Sequence, residues 1–487
     1  MMPNYLGLVS GVISLVLWSQ GVTSHVVLCN TLTANQSMYC SCDLDGVDEA
    51  RRISCFVINP LKPDDEVWKG FARQSELTSL TITSQPASSS LEFVPTEAFL
   101  RTPRLQELNI KQCSISELPT NSFVHLEHLS RIALENDEIR NLRKHAVSHL
   151  PRLTSLVISD NLIEALRAEA LFDLPRLTFL VLDRNNISWI DDNFFLHLSN
   201  LMELELWNNK IQHITPYTFN GLKSLRRLDL YKNRLIKLDN YVFSGAPRLH
   251  ELDLKENRIS EIAPNAFHGL FSLTSLHLNR NRLRMLPAHV FRGTPNVMML
   301  ELSNNRLESI QRNVIEDLSR ATDDHFIMYF RNNQLKCDCR LNWVEEYASL
   351  AKYLIFKKEL HQMQCTQENI RVTKRVLDIN FDDFRCLETS TSSSVTFKAS
   401  VQRANAIEIH LYKRTEDGEN SLFEATVSTS SENLKNVSNM QPHVNSHRPL
   451  ELVPSIERNE NSAWCVFPVF HRTIFTSIAL VFQKIMI

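Results

Sequence analysis

The chain has 487 residues, 43% of them apolar and 22% charged, a composition that folds and that excludes a mostly disordered protein. A formal net charge of -3 and a pI near 6.6 carry no polybasic signature, so a nucleic-acid partner is not expected.

In chain order, residues 1–24 hold an apolar stretch from Leu6 to Trp18, too short to span a membrane comfortably. Small residues follow at Val22 and Ser24, and the segment reads as a secretory signal cut before His25. Export implies an oxidising compartment, where paired cysteines persist. Residues 25–76 then carry Cys29, Cys40, Cys42 and Cys55, the mark of a disulfide-stapled cap whose spacing alone leaves three pairings open.

From Leu77 the chain repeats itself. Leu105, Leu129, Leu153, Leu177, Leu201, Leu225, Leu249, Leu273 and Val297 lie 24 residues apart. Apolar residues recur three and five places after each start, Asn eight places after, and a large apolar residue eighteen places after. This is the leucine-rich repeat, and it predicts an α/β solenoid with a curved parallel sheet on its concave face over residues 77–320. The recurring Asn (161, 185, 209, 233, 257, 281 and 305) is expected to satisfy backbone groups where the chain turns off each strand. Cys113 and Asp137 occupy the same slot in earlier coils, so Cys113 is expected to be a buried structural thiol. The first coil carries a surplus in SQPASSS and the last in residues 321–324, giving about eleven coils and an inner sheet on the order of 50 Å long.

Residues 321–387 form the last repeat and a second cap around Cys337, Cys339, Cys365 and Cys386. An amphipathic helix is predicted there, with Leu341, Trp343, Val344 and Tyr347 covering the open core. CxC invites a zinc reading, but in an exported chain disulfides are the expectation, and no metal or other cofactor is expected. Residues 388–461 are rich in Ser, Thr and Asn with strand-like pieces such as IEIHLYKR, and read as a stalk of low order. Sequons mark Asn35, Asn186 and Asn436 as candidate glycosylation sites. At the end, Asn461-Ser462-Ala463, a spacer and an apolar tail read as a glycosylphosphatidylinositol signal, with attachment at Asn461 and removal of residues 462–487.

Alternation along each strand turns residues two, four and six places after each start outward. Phe179, Val181, Glu203, Glu205, Trp207, Asp229, Tyr231, Glu251 and Asp253 are therefore the candidate protein-binding residues, with Asp183, Arg227 and Lys255 among them. Trp207 is expected to stand fully exposed, as binding hot spots favour. Nothing points to an enzyme: GxSxG, HExxH and a phosphate-cradling loop are all missing.

The runs VLCNTLTANQSMYCSCDLDG, LEFVPTEAF and CDCRLNWV, between Cys29 and Cys386, resemble the connectin family of insect leucine-rich-repeat adhesion proteins. That resemblance implies the pairs Cys29–Cys42, Cys40–Cys55, Cys337–Cys365 and Cys339–Cys386. It also implies a lipid-anchored protein on the outer leaflet of the plasma membrane, mediating homophilic adhesion as in neuron–muscle recognition. The expected partner is thus a protein on an apposed cell, including a second copy of the chain. The alternative is a secreted or anchored receptor or decoy for a soluble protein or microbial molecule.

Overall fold

A computed structural model of the chain describes residues 28–29, 36–43, 50–84, 91–123, 126–318, 325–351, 354–367 and 372–381, with five further strands between residues 396 and 465. The chain forms two compact units, Met1–Arg385 and Cys386–Ile487.

The first unit is the expected solenoid. One 13-stranded sheet runs its length, and its strands follow chain order. The first, Met38–Cys42, pairs antiparallel with Arg52–Val57. Every later pairing is parallel, from Ser79–Ser84 through to Ile327–Tyr329, so about eleven coils stack. Register is strict, since residues 24 apart sit directly opposite: Leu180, Leu204, Leu228, Leu252 and Leu276 form one row. That row is fully buried, as is a second row of phenylalanines on the far side of the core. Phe195, Phe219, Phe243, Phe267 and Phe291 stack ring on ring with centroids 5.9–6.2 Å apart. The 24-residue leucine and phenylalanine periods therefore become two parallel spines of one continuous core.

The asparagine row holds the turns. Asn209 Oδ1 accepts the Ile187 N–H at 3.0 Å, and its Nδ2 donates to the Leu182 and Leu206 carbonyls at 3.0 Å each. Asn185, Asn233, Asn257, Asn281 and Asn305 repeat this pattern. Just before each ladder Asn the backbone passes through the left-handed region, at Asp160, Arg184, Asn208, Lys232, Glu256, Arg280 and Asn304. Asp137 takes the Asn slot imperfectly. Its Oδ1 accepts the Cys113 N–H at 2.9 Å, but Oδ2, where the others carry an NH2, is buried without a partner. Burial, ahead of nearby Glu135, pushes the Asp137 carboxyl up to about 8. Cys113 is free and buried, its thiol raised by the same desolvation.

Both caps close the spine. At the N-terminal end Trp68 and Phe71 are buried, and Cys29–Cys42 and Cys40–Cys55 are bonded. At the other end the helix Trp343–Leu350 buries Trp343 and Val344, and the Trp343 indole donates to the Ile310 carbonyl at 2.7 Å. Cys337 pairs with Cys365. Cys339 is also disulfide-bonded, while Cys386, its expected partner, lies outside the described residues. So do the secretory signal, Asn35, Asn436 and Asn461, together with the two irregular insertions at residues 85–90 and 319–324.

The second unit contains a five-stranded antiparallel sheet. Ala406–Arg414, which includes IEIHLYKR, pairs with Asn420–Ser428 on one side and Thr396–Val401 on the other. Ser462–Cys465 joins the opposite side of Thr396–Val401 and pairs in turn with Ile456–Asn459. Paired strands thus occupy part of the segment expected as a stalk of low order. The alternation Ile407, Ile409, Leu411 is the period-two pattern a strand requires.

Two substitutions test the ladder. Asn209→Ala orphans the buried Ile187 N–H and takes one of two asparagine donors from the Leu182 and Leu206 carbonyls, and should cost about 1–3 kcal/mol by denaturant titration; a loss below about 0.5 kcal/mol would contradict the ladder's role. Because the Asp137 carboxyl binds its proton more tightly when folded, its contribution to stability is full at low pH and is lost as pH rises toward 8. Asp137→Asn should therefore raise the melting temperature at pH 8, with the gain shrinking to nothing by about pH 4.

Candidate protein-binding face

Pairing in register converts the sequence period into columns on the concave sheet. One column carries Phe179, Glu203, Arg227 and Glu251; the next carries Val181, Glu205, Asp229, Asp253, His277 and Glu301. All nine candidate residues lie on this one face. Their display is uneven, however. Val181 and Asp229 are 7% and 8% exposed, so neither presents much surface, while the others are half-buried.

The acids are tied to the protein itself. Arg227 stands among three carboxylates, 3.4 Å from Glu205, 3.7 Å from Asp229 and 3.6 Å from Glu251. Asp229 Oδ1 accepts the Tyr231 N–H at 2.9 Å, and Asp253 Oδ1 accepts the Lys255 N–H at 2.8 Å, so both also cap the turn that follows their strands. Burial pushes the Asp229 carboxyl up to about 6, with Asp253 and Glu205 adding to the shift and Arg227 opposing it. Asp253 is raised too, chiefly by burial. Asp183 rises to about 6 for the same first reason, although Arg184 pairs with it.

Trp207 is half-buried rather than fully exposed. Its ring lies 6.5 Å from that of Tyr231, and the Arg184 guanidinium sits 4.6 Å over the indole. On the other side the Lys255 ammonium sits 5.5 Å over the Tyr231 ring, and the Tyr231 hydroxyl donates to Glu256 at 3.3 Å. The result is a row of cation, indole, phenol and cation across four successive coils. Each cation–ring contact contributes on the order of 0.5–1 kcal/mol, and the two rings are tilted 31° to one another. Reading the strand residues alone finds the two aromatics and misses Arg184, because that residue lies one place beyond the last outward position. Its left-handed backbone, φ 50, swings the side chain back over the neighbouring coil. His277, 3.5 Å from Glu301, continues the face toward the C-terminal cap. A concavity lined by Asp43, Arg51, Arg52, Glu76, Arg104 and His128 lies at the N-terminal end, away from this row.

Rings preordered beside bound charges lose little entropy on forming a contact. Among the described residues no three His, Cys, Asp or Glu side chains gather to hold a metal ion. No helix of the described residues is long and apolar enough to cross a membrane.

The leucine rich repeat family model matches residues 75–139, 127–187, 175–235, 223–283 and 271–322, half of the chain. No curated protein matches it. Among solved structures, that of the mouse RP105/MD-1 complex is 22% identical over 64% of this chain and 55% of that chain, with a TM-score of 0.50. The Drosophila Toll–Spatzle complex is 17% identical over 70% and 54%, TM-score 0.49. The complex of Latrophilin 3, Unc5D and the leucine-rich repeats of FLRT2 is 22% identical over 56% and 81%, TM-score 0.46. The chain thus spans about half the length of the Toll and RP105 chains. At these identities the likeness is one of fold.

Carboxylate NMR titration should place the Asp183 and Asp229 midpoints near 6. Arg227→Gln should move the Asp229 midpoint higher, because it removes the cation that opposes the shift. A wild-type midpoint near 4 would show that the column is solvated and not tied into the sheet.

Proposed function

We propose that this chain, which belongs to the leucine-rich-repeat family, is an extracellular recognition protein that binds another protein through the centre of its concave sheet. The observation that carries this reading is the ordered row Arg184, Trp207, Tyr231 and Lys255 beside the Arg227-centred acids. An indole and a phenol held by flanking cations at the middle of a long sheet form an anchor cluster with a polar rim, the arrangement that concentrates binding energy. The stapled caps support an oxidising, extracellular setting.

Within that reading we place the protein on the cell surface as a homophilic adhesion molecule of connectin type, held by a lipid anchor attached at Asn461. Two acidic patches meeting face to face would repel. Arg227 lessens this conflict by sitting inside the patch, and Arg184 and Lys255 border it with positive charge. A cut at Asn461 would remove Ser462–Cys465, the strand that lies between Thr396–Val401 and Ile456–Asn459, so anchoring also predicts a smaller mature sheet. Glycans at Asn35, Asn186 and Asn436 complete the proposed surface protein; Asn186 is half-buried beside the ladder Asn185.

Cells expressing the chain should cluster with one another and not with untransfected cells. Trp207→Ala with Tyr231→Ala should abolish that clustering at unchanged surface expression. Clustering by the double variant at the wild-type rate would remove the concave centre from the interaction. Failure of wild-type cells to cluster, with capture of a soluble protein instead, would favour the receptor reading. Release by phosphatidylinositol-specific phospholipase separates the anchored from the secreted form.

A further inference from the structure

A second row of charge runs along the solenoid, outside the concave face. Nine places after the last five repeat starts, directly after the ladder asparagine, come Lys210, Arg234, Arg258, Arg282 and Arg306. Geometry turns all five away from the core, Arg258, Arg282 and Arg306 exposed and Lys210 and Arg234 half-buried. The asparagine before each points into the core, and so does the apolar residue after each: Ile211, Leu235, Ile259, Leu283 and Leu307 are all 0% exposed. The backbone at each position is held in the same way. The five N–H groups donate to Ile187, Ile211, Leu235, Ile259 and Leu283 carbonyls at 2.8–2.9 Å. Equal suspension on successive coils spaces the cations by about 4.8 Å, so the row is roughly 20 Å long.

Arg184, Arg227 and Arg280 each hold a carboxylate, whereas among the described residues the five of this row have neither an ion pair nor a side-chain hydrogen bond. Of the acids that flank the row, Glu256 is engaged by Arg280 at 2.7 Å and Glu308 by Lys336 at 2.8 Å, while Glu261 is exposed. Lys232 and Arg284 are exposed and add to the positive strip. Ile236 and Met285, 44% and 61% exposed, lie two or three places after Arg234 and Arg282 and offer apolar surface beside it.

We propose that the row of Lys210, Arg234, Arg258, Arg282 and Arg306 binds a sulfated linear polysaccharide of the glycosaminoglycan class. Evenly spaced single cations along a straight edge match a polymer bearing anionic groups at regular intervals, and each contact releases counterions. A single-stranded nucleic acid has the same charge but draws much of its affinity from aromatic side chains interleaved with the cations. The row contains no aromatic residue. Exposed aliphatic side chains beside it suit the apolar faces of sugar rings. This site is separate from the concave face and would let the protein engage the matrix while that face engages its partner.

The full secreted chain, passed over immobilised heparin, should be retained at physiological salt. Arg258→Gln with Arg282→Gln and Arg306→Gln should lower affinity at least tenfold, and the slope of log affinity against log salt should fall by about 2–3, roughly one unit per cation removed. Triple replacement by Lys, which keeps the charge, should restore retention. Chemically desulfated heparin should bind neither form. An unchanged salt slope in the Gln variant would overturn the proposal, as would a wild-type chain that flows through. Stronger competition by polyuridylic acid than by heparin would reassign the row to nucleic acid, and loss of self-association alone would reassign it to a second copy of this chain.

Discussion

Everything in the solenoid hangs on one side-chain amide repeated down its length. A coil that leaves the sheet must turn with its peptide groups inside a dry core, where an unpaired N–H or C=O costs about 1–3 kcal/mol. Asn is short enough to stay in the turn and carries both an acceptor and a paired donor, so one residue answers for three or four backbone groups in two coils. Asn161, Asn185, Asn209, Asn233, Asn257, Asn281 and Asn305 do this in turn. The two coils that depart from it show why the amide matters. Cys113 donates weakly to the Lys111 carbonyl, and Asp137 keeps a proton that an ordinary aspartate would shed.

The same periodicity makes both faces. Since residues 24 apart meet in register, any position that faces outward once does so in every coil, and charge or aromaticity accumulates into columns. On the concave side the columns react with each other: carboxylates share Arg227, and rings take cations on their faces. On the edge after the turn, five cations line up without an ion pair among the described residues. Internal pairing orders the first surface, although acids still outnumber cations there. Lack of pairing leaves the second soft and strongly charged, fitted to a flexible polyanion. An overall charge of -3 therefore conceals a local excess of positive charge.

Much of this was legible from residue order. Leu177, Leu180 and Leu182 fall at intervals that only a strand followed by a tight turn can bury together, and a recurring Asn names the turn. The phenylalanines at eighteen places, the Trp343 plug and the two cysteine clusters follow from the same frame. Period and pattern fix these because each coil meets only its neighbours, so local spacing is already tertiary structure. The disulfide pairing did not follow from spacing and rested on family resemblance, which Cys29–Cys42, Cys40–Cys55 and Cys337–Cys365 match.

Only the folded chain decided how outward residues treat one another. Sequence alone marked Trp207 as outward but could not show Arg184 lying across it, because that contact joins two coils through a left-handed turn. It marked Asp229 as a displayed acid, whereas the sheet buries it and gives its oxygen to the Tyr231 N–H. A basic residue follows five of the ladder asparagines, and stacking sets Lys210 through Arg306 on one edge without an ion pair among the described residues. Direction of a side chain is a local property that the repeat dictates; its company is set by neighbouring coils, and that is where charge and exposure are settled.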